Sequence, residues 1–146
     1  MPTRIVLTFL AVALVAADDP PKDAKKEVEK FQGDWTIVSL ENQGQKVAEE
    51  NVKGTKLTVK GQEWKVTREG TTIADVTFKL DPSKDPKAID MTFKVNGEDT
   101  ALKGIYKLDG DTLTLCRTNA PGAARPTEFK TTADGGVIAV WKRAKK

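Results

Sequence analysis

Hydrophobic and polar residues alternate with a period of two along most of the chain that follows Gly33. This period is typical of β-strands that bury one face, and glycine, proline, asparagine and aspartate residues interrupt it at short intervals. We therefore predict an all-β domain of consecutive antiparallel strands. The predicted strands span residues 34–41, 54–60, 62–69, 71–80, 87–95, 99–108, 111–118, 126–132 and 137–143.

The connections between these strands are of two kinds. Four short ones contain a glycine, which tolerates the positive φ of a tight hairpin: Lys60-Gly61, Glu69-Gly70, Asn96-Gly97 and Asp109-Gly110. Three longer ones are expected to form the rim of any binding site, because binding residues concentrate on loops: residues 42–53, 81–86 and 119–125.

The alternation places apolar side chains on one face of the strands, and Thr, Lys, Asp and Arg on the other. Eight or nine such strands must close on themselves or stack, because an open sheet would expose the apolar face and two edges. Sequential hairpins favour an antiparallel up-and-down barrel of about eight or nine strands over a Greek-key sandwich. The residues predicted to face its core are Leu57, Val59, Trp64, Val66, Ala74, Val76, Phe78, Leu80, Ile89, Met91, Phe93, Val95, Tyr106, Leu108, Leu113, Leu115, Val137, Ala139 and Trp141.

A short helical turn is predicted just before the first strand. Val28 and Phe31 lie three residues apart within the segment Glu27–Gln32, and the following Gly33 is a typical helix-ending residue. The domain is therefore expected to span residues 27–146.

The segment before residue 27 predicts export. Residues 1–17 combine Arg4, an apolar run and small residues before Asp18, the pattern of a secretory signal peptide cleaved after Ala17. A retained membrane anchor is the alternative, but the run is shorter than the roughly 20 apolar residues that a spanning helix needs. Residues 18–26 are rich in proline and charge and predict a flexible leader, so we expect a periplasmic or extracellular protein with no stable membrane span after cleavage.

The composition excludes most site chemistries. The 146 residues include no histidine and one cysteine, Cys116, which removes imidazole-based catalysis, haem ligation through histidine and any disulfide framework within the chain. Cys116 follows Leu113-Thr114-Leu115 and is expected to be a buried core residue. The length fits a single domain.

The charge pattern argues against a polyanionic partner. The 24 Lys+Arg residues alternate with 21 Asp+Glu residues, so no patch of one sign is expected, and nucleic-acid binding is not predicted. The acidic turns Asp109-Gly110-Asp111 and Asn96-Gly97-Glu98-Asp99 lack the spacing of a calcium loop, so we expect no metal and no cofactor.

The segment Phe31-Gln32-Gly33-Asp34-Trp35 resembles the opening of lipocalins and fatty-acid-binding proteins. In that family the tryptophan closes one end of the barrel, and in lipocalins a basic residue of the last strand packs across it. The resemblance implies that Gly33, Trp35 and a basic residue, Lys142 or Arg143, close the barrel, and we assign this role to Arg143. A cation above an indole ring is physically favourable.

Longer motifs are similar to a lipocalin-like domain found in exported planctomycete proteins. They are the motif at residues 31–35, the proline-bracketed segment 80–90, Gly-Ile-Tyr-Lys-Leu-Asp-Gly-Asp-Thr-Leu at 104–113 and Arg-Pro-Thr-Glu-Phe at 125–129. The resemblance covers residues 31–143 and implies the barrel fold, but it implies no particular activity.

Two kinds of binding function remain open. A barrel of about eight strands either is filled by its own side chains or holds one small apolar ligand; the expected lining is Trp64, Phe78, Phe93, Tyr106 and Trp141. The alternative is an interaction module for a protein, a glycan or the envelope, with the exposed loop residues Lys84, Lys87, Arg125 and Glu128 as candidates. We slightly favour the apolar ligand and expect a monomer.

An enzyme is not predicted. The carboxylates Asp75, Asp90, Asp99 and Glu128 are those that a glycosidase-type pair would use, but nothing in their spacing brings two of them together. Asp75 and Asp90 fall on predicted outward positions, where surface ion pairs are expected.

Overall fold

A computed structural model describes residues 22–95, 97–133 and 135–144. The predicted signal peptide and residues 18–21 of the predicted leader lie outside this part of the chain. None of the helices that the structure describes is both long and apolar enough to cross a membrane.

Within the described residues the fold has two helices and nine strands. In chain order these are α1 (Lys22–Phe31), β1 (Gly33–Asn42), β2 (Gln45–Lys46), α2 (Glu49–Val52), β3 (Thr55–Lys60), β4 (Glu63–Arg68), β5 (Thr71–Asp81), β6 (Ala88–Val95), β7 (Glu98–Asp109), β8 (Thr112–Arg117) and β9 (Val137–Arg143).

The sheet closes into a barrel. From β3 to β9 each strand pairs with the next in the chain, β1 pairs with β3, and β9 returns to pair with β1 from Trp35↔Arg143 to Asn42↔Val137. Eight strands form the wall, and β2 is an extra strand paired only with the end of β1. The predicted antiparallel up-and-down barrel is therefore confirmed.

The two ends of the barrel differ. At one end, called here the closed end, α1 places Phe31 inside the barrel, with ring centroids 5.6 Å from Phe78 and 5.2 Å from Tyr106. At the other end, called here the mouth, β1, β4 and β8 finish at Asn42, Arg68 and Arg117, and α2 lies beside β1. The polar residues that end β4 and β8 therefore stand at the mouth.

Helix α1 is longer than the turn predicted over Glu27–Gln32. It begins at Lys22 and so includes residues 22–26, which the sequence analysis assigned to a flexible leader. The helix is longer because its earlier turns are buried as well. Ala24, Glu27 and Phe31 form one buried stripe at the spacing of a helix face.

The predicted inward face agrees closely with the observed core. Fourteen buried residues form one cluster, which includes Leu57, Trp64, Met91, Leu113 and Trp141. Half-buried members of the predicted face, such as Val66, Phe93 and Ala139, pack against it.

The prediction of a strand over residues 126–132 is wrong. Strand β8 pairs directly with β9, from Thr112↔Lys142 to Arg117↔Val137, so the wall has no gap for another strand. Inside that segment the structure has only an isolated bridge at Thr132. Thr127, Phe129 and Thr131 alternate with polar residues as in a strand, but no strand edge of the wall is free to pair with them.

The segment between β8 and β9 instead covers the outer wall. Arg125 donates hydrogen bonds to the carbonyl oxygens of Ile89 (2.9 Å) and Gly104 (2.8 Å), and the Sγ atom of Cys116 lies 3.5 Å from the carbonyl oxygen of Glu128. Beneath the segment, the wall residues Ala88, Ile105 and Cys116 are buried although they belong to the outer face. Cys116 is thus buried as predicted, but the outer face is not uniformly polar.

Two of the three loops expected at a binding rim lie elsewhere. Residues 119–125 run over the outer wall, and residues 81–86 join β5 to β6 at the closed end, since β5 starts at the mouth and β6 starts beside α1. Only the connection 42–53, which contains β2 and α2, belongs to the mouth.

Candidate functional site

A cavity of about 210 Å³ lies inside the barrel, in the half nearer the mouth. The cavity opens to solvent at the mouth, as the 52% exposure of its lining residue Ile73 indicates. The other lining residues are Ile37, Leu40, Val52, Thr55, Leu57, Trp64, Val66, Arg68, Ala74, Met91, Phe93, Leu115, Arg117, Val137, Ala139 and Trp141.

Three of the five residues expected to line a ligand cavity do so, namely Trp64, Phe93 and Trp141. Phe78 and Tyr106 are also inside the barrel, but they do not line this cavity. They pack around Phe31 at the closed end, and Phe78 also stacks on Trp64 with 5.0 Å between the ring centroids. Both residues are therefore interior as predicted, but α1 fills their half of the barrel and separates them from the cavity.

Two arginines also line the cavity, and the sequence analysis missed them. Arg68 donates a hydrogen bond from Nε to the hydroxyl oxygen of the buried Thr55 at 3.2 Å. Arg117 donates from Nη1 to the carbonyl oxygen of Thr118 at 3.0 Å, and its guanidinium lies 4.9 Å from the centre of the Phe93 ring. Strands β4 and β8 are four strands apart in either direction around the eight-strand wall, so the two arginines come from opposite sides of it.

A sequence signal for both arginines exists. Trp64, Val66 and Arg68 are consecutive inward positions of β4, and Leu113, Leu115 and Arg117 are consecutive inward positions of β8. Continuing the same alternation by one more step therefore turns each arginine inward. The sequence analysis instead took all charged residues as outward.

The charged side chains that line the cavity are all positive. No aspartate or glutamate is among its lining residues, and within the described residues neither Arg68 nor Arg117 has a carboxylate oxygen within 4.0 Å. Removal from water lowers the pKa of the Arg117 guanidinium, which remains protonated at neutral pH. The wall is thus apolar with positive charge towards the mouth.

Gly104 makes room for this arrangement. It faces the interior opposite Arg117, and a Cβ atom placed on it would lie 3.1 Å from the Cβ of Arg117 and 3.0 Å from the Cε of Met91. A larger residue would therefore press on two cavity-lining side chains.

The indole N–H of Trp141 is a buried donor with no hydrogen-bond partner among the described residues. Its nitrogen is shielded from solvent by its neighbours even though other atoms of the ring line the cavity. A ligand in the cavity therefore does not reach this N–H group, and the charged donors in the lining are the guanidinium groups of Arg68 and Arg117.

The barrel-closing residues form a separate, structural site at the closed end. The Arg143 guanidinium lies 4.3 Å from the centre of the Trp35 ring and donates hydrogen bonds to the carbonyl oxygens of Gln32 (2.8 Å) and Lys30 (2.7 Å). Gly33 follows with a φ of 111°, and a Cβ atom there would lie 3.6 Å from the guanidinium. Arg143 thus occupies the position above Trp35, whereas Lys142 is exposed.

A charged cluster at the closed end holds α1 to the barrel. The buried carboxylate of Glu27 accepts hydrogen bonds from Lys87 Nζ (2.9 Å) and the Tyr106 hydroxyl (3.3 Å). Burial raises the pKa of Glu27, but the hydrogen bond and charge of Lys87, the charge of Lys30 and the hydrogen bond from Tyr106 outweigh it, so the pKa lies below its ordinary value. The cluster is therefore an ionised helix anchor.

The four loop candidates for a macromolecular interface do not form one surface. Lys87 is bonded to Glu27, and Arg125 is bonded to the barrel wall and to Asp90. Lys84 and Glu128 are exposed, at the closed end and on the outer wall respectively.

Other reactive groups are dispersed among the described residues. Asp90 pairs with Arg125, and no three His, Cys, Asp or Glu side chains are close enough together to hold a metal ion. Burial raises the pKa of the Cys116 thiol, which disfavours its reactive thiolate.

Searches against protein-family models, curated proteins and solved structures each return no match to this chain.

Proposed function

We propose that this chain is an exported, non-enzymatic binding domain for a small apolar ligand, which it holds inside the barrel. The observation that carries the proposal is the cavity between Trp64, Phe93 and Trp141. Interiors are normally packed to the density of organic crystals, so space left among apolar side chains forfeits dispersion contacts that a ligand restores.

The size of the cavity restricts the ligand. Pockets for drug-sized molecules usually enclose about 300–1,000 Å³, and this cavity encloses about 210 Å³. A cavity of roughly 150 Å³ lined by Leu, Ile and Phe is enough to bind benzene. The proposed ligand is therefore a single small ring or a short aliphatic chain.

Kinship with lipocalins and export of the protein belong to the same proposal. The stack of Arg143 on Trp35 supports the kinship, because this arrangement was expected from the lipocalin resemblance. The apolar run before Asp18 supports export.

The alternative, an interaction module with a filled barrel, has weaker support. The cavity argues against a completely filled interior, and Lys87 and Arg125 are engaged in holding α1 and the outer segment in place. We therefore propose a monomeric domain whose partner is the small ligand, with no nucleic-acid or cofactor requirement.

A fluorescence titration tests the proposal with 1-octanol as the probe. Trp64 and Trp141 line the cavity, so entry of the probe is expected to give a saturable change in tryptophan emission. Ala139→Leu places a larger side chain in the cavity wall and should abolish the saturable change. The matched control is Ala101→Leu on the exposed outer face of β7, which should bind as the natural protein does. A linear, non-saturable response in the natural protein would refute the proposal.

A further inference from the structure

We propose that the ligand is a small apolar carboxylate, whose negative charge is bound by Arg117 and Arg68 while its apolar part lies among Trp64, Phe93 and Trp141. This inference rests on the proposed function and adds the chemical class of the ligand.

The charged groups that line the cavity have one sign. Arg68 and Arg117 are its charged lining residues, and both are positive. A carrier of neutral molecules gains nothing from these half-buried guanidinium groups, because partial removal of a charge from water costs free energy unless a partner compensates for it.

The four arginines of the described chain differ in how far structural partners satisfy them. Arg125 and Arg143 each donate to two backbone carbonyl oxygens and to one aspartate, so structural partners satisfy them. Arg68 and Arg117 each have one described hydrogen bond, to a threonine hydroxyl and to a carbonyl oxygen respectively. A guanidinium has five N–H donors, so both retain donor capacity.

The two arginines stand at the mouth of the cavity. Arg68 and Arg117 end β4 and β8 at the mouth and lie on opposite sides of the wall, while the three aromatic side chains lie on the same lining. A molecule with one charged end and one apolar end matches this division. Its charged end faces the solvent side, which limits the desolvation that binding requires.

Among anions, a carboxylate fits this cavity best. A carboxylate presents two oxygen atoms that match the paired N–H groups of a guanidinium. A phosphate dianion carries more charge and loses more hydration on entering a largely apolar space. A carboxylate leaves most of the cavity to the apolar part of the ligand.

Two eight-carbon probes that differ in their head groups test this inference. Titrations at pH 7 with octanoate and with 1-octanol measure the contribution of the negative charge to binding. Octylammonium is a third probe of the same length, with a positive head group. We expect octanoate to bind at least about tenfold more tightly than 1-octanol, as hydrogen bonds to charged groups imply, and octylammonium more weakly than both. Octyl phosphate in the same series tests for a dianion site, and tighter binding of octyl phosphate than of octanoate would overturn the choice of a carboxylate.

Variants of the arginines identify the groups responsible. Arg117→Gln and Arg68→Gln should each weaken octanoate binding about tenfold and leave 1-octanol binding unchanged. Lys65→Gln removes a positive charge from the exposed face of β4, beside Arg68 in sequence but outside the barrel, and should affect neither probe. An equal loss in all three variants would contradict a specific site.

A stability measurement separates ligand binding from a structural role. Arg117→Met should change the melting temperature little, because the loss of one hydrogen bond to the Thr118 carbonyl is offset by removal of a half-buried charge and the methionine can still pack against Phe93, and it should lose the preference for octanoate. A lower melting temperature together with unchanged preference would make Arg117 a structural residue and overturn the inference.

The results also distinguish this inference from the proposed function. Binding of 1-octanol with the affinity of octanoate would refute the charged-ligand inference and leave the apolar carrier intact. Absence of saturable binding by every probe would refute both.

Discussion

The guanidinium of Arg143 lies 4.3 Å from the centre of the Trp35 ring, and this contact joins the last strand of the barrel to the first. Arg143 also donates hydrogen bonds to Lys30 and Gln32, at the end of α1 and just after it, and to Asp111 beside β8. One side chain thus links four parts of the closed end.

The core position of Trp35 predicts a large loss of stability on truncation. Trp35 is fully buried, and its indole N–H donates to the carbonyl oxygen of Phe31 at 2.8 Å. Trp35→Ala should lower the free energy of unfolding by about 3–5 kcal/mol, as measured by urea denaturation. A loss below about 1 kcal/mol would show that Trp35 does not close the barrel.

The hydrogen bonds of Arg143 predict that a lysine cannot replace it. Arg143→Lys keeps the charge above the ring but loses the planar fork that reaches separate carbonyl oxygens, so we expect a loss of about 1–3 kcal/mol in unfolding free energy. Lys142→Gln, at the adjacent exposed position, serves as control and should change it by less than about 0.5 kcal/mol. A change below about 0.5 kcal/mol in Arg143→Lys as well would mean that a positive charge alone is enough above Trp35 and that the hydrogen bonds of the guanidinium contribute nothing further.

Glu27 predicts a dependence of stability on pH. Its pKa is lower in the folded protein than in the unfolded chain, so its ionised form contributes stability above the unfolded pKa of about 4.3, and this contribution is lost as the pH falls through the folded pKa. Glu27→Gln should therefore be less stable than the natural protein at pH 7, and the difference should shrink below about pH 4. Urea titrations at several pH values measure it.

The control for this pH effect lies on the same helix. Glu29 is exposed, and Glu29→Gln should follow the natural protein at every pH. If the gap between Glu27→Gln and the natural protein stayed constant from pH 7 to pH 3, the anchoring role of the ionised carboxylate would be wrong.

The crowding around Gly104 predicts that the addition of one methyl group lowers the stability of the protein. A Cβ atom there would lie 2.7 Å from the carbonyl oxygen of Cys116, which is fixed by the β7–β8 pairing. We expect Gly104→Ala to cost about 1–3 kcal/mol in unfolding free energy. A thermal melt equal to that of the natural protein would show that the wall adjusts freely.

Much of the barrel could be predicted from the sequence because the pattern has one simple cause. A strand in a closed wall must alternate between core and solvent, so Leu57 to Val59 on β3, or Leu113 to Leu115 on β8, reveal both the strand and its inward face. The turn glycines then place the boundaries of these strands within one residue of the observed ones.

The remaining errors have tertiary causes. Residues 126–132 alternate like a strand, but the direct pairing of β8 with β9 leaves them no partner. Helix α1 includes residues 22–26 because the barrel offers a site for Ala24 and Glu27, which a local pattern does not show. The inward arginines follow the alternation, but the rule that charged side chains face solvent hides them.

Native mass spectrometry of the protein, purified under gentle conditions from the cells that produce it naturally, shows whether a ligand occupies the barrel. We expect a discrete added mass that disappears on denaturation and is absent from Ala139→Leu but present in Ala101→Leu. A bare polypeptide mass in all three proteins, with no saturable response to 1-octanol or octanoate, would contradict the claim that this barrel carries a small apolar ligand.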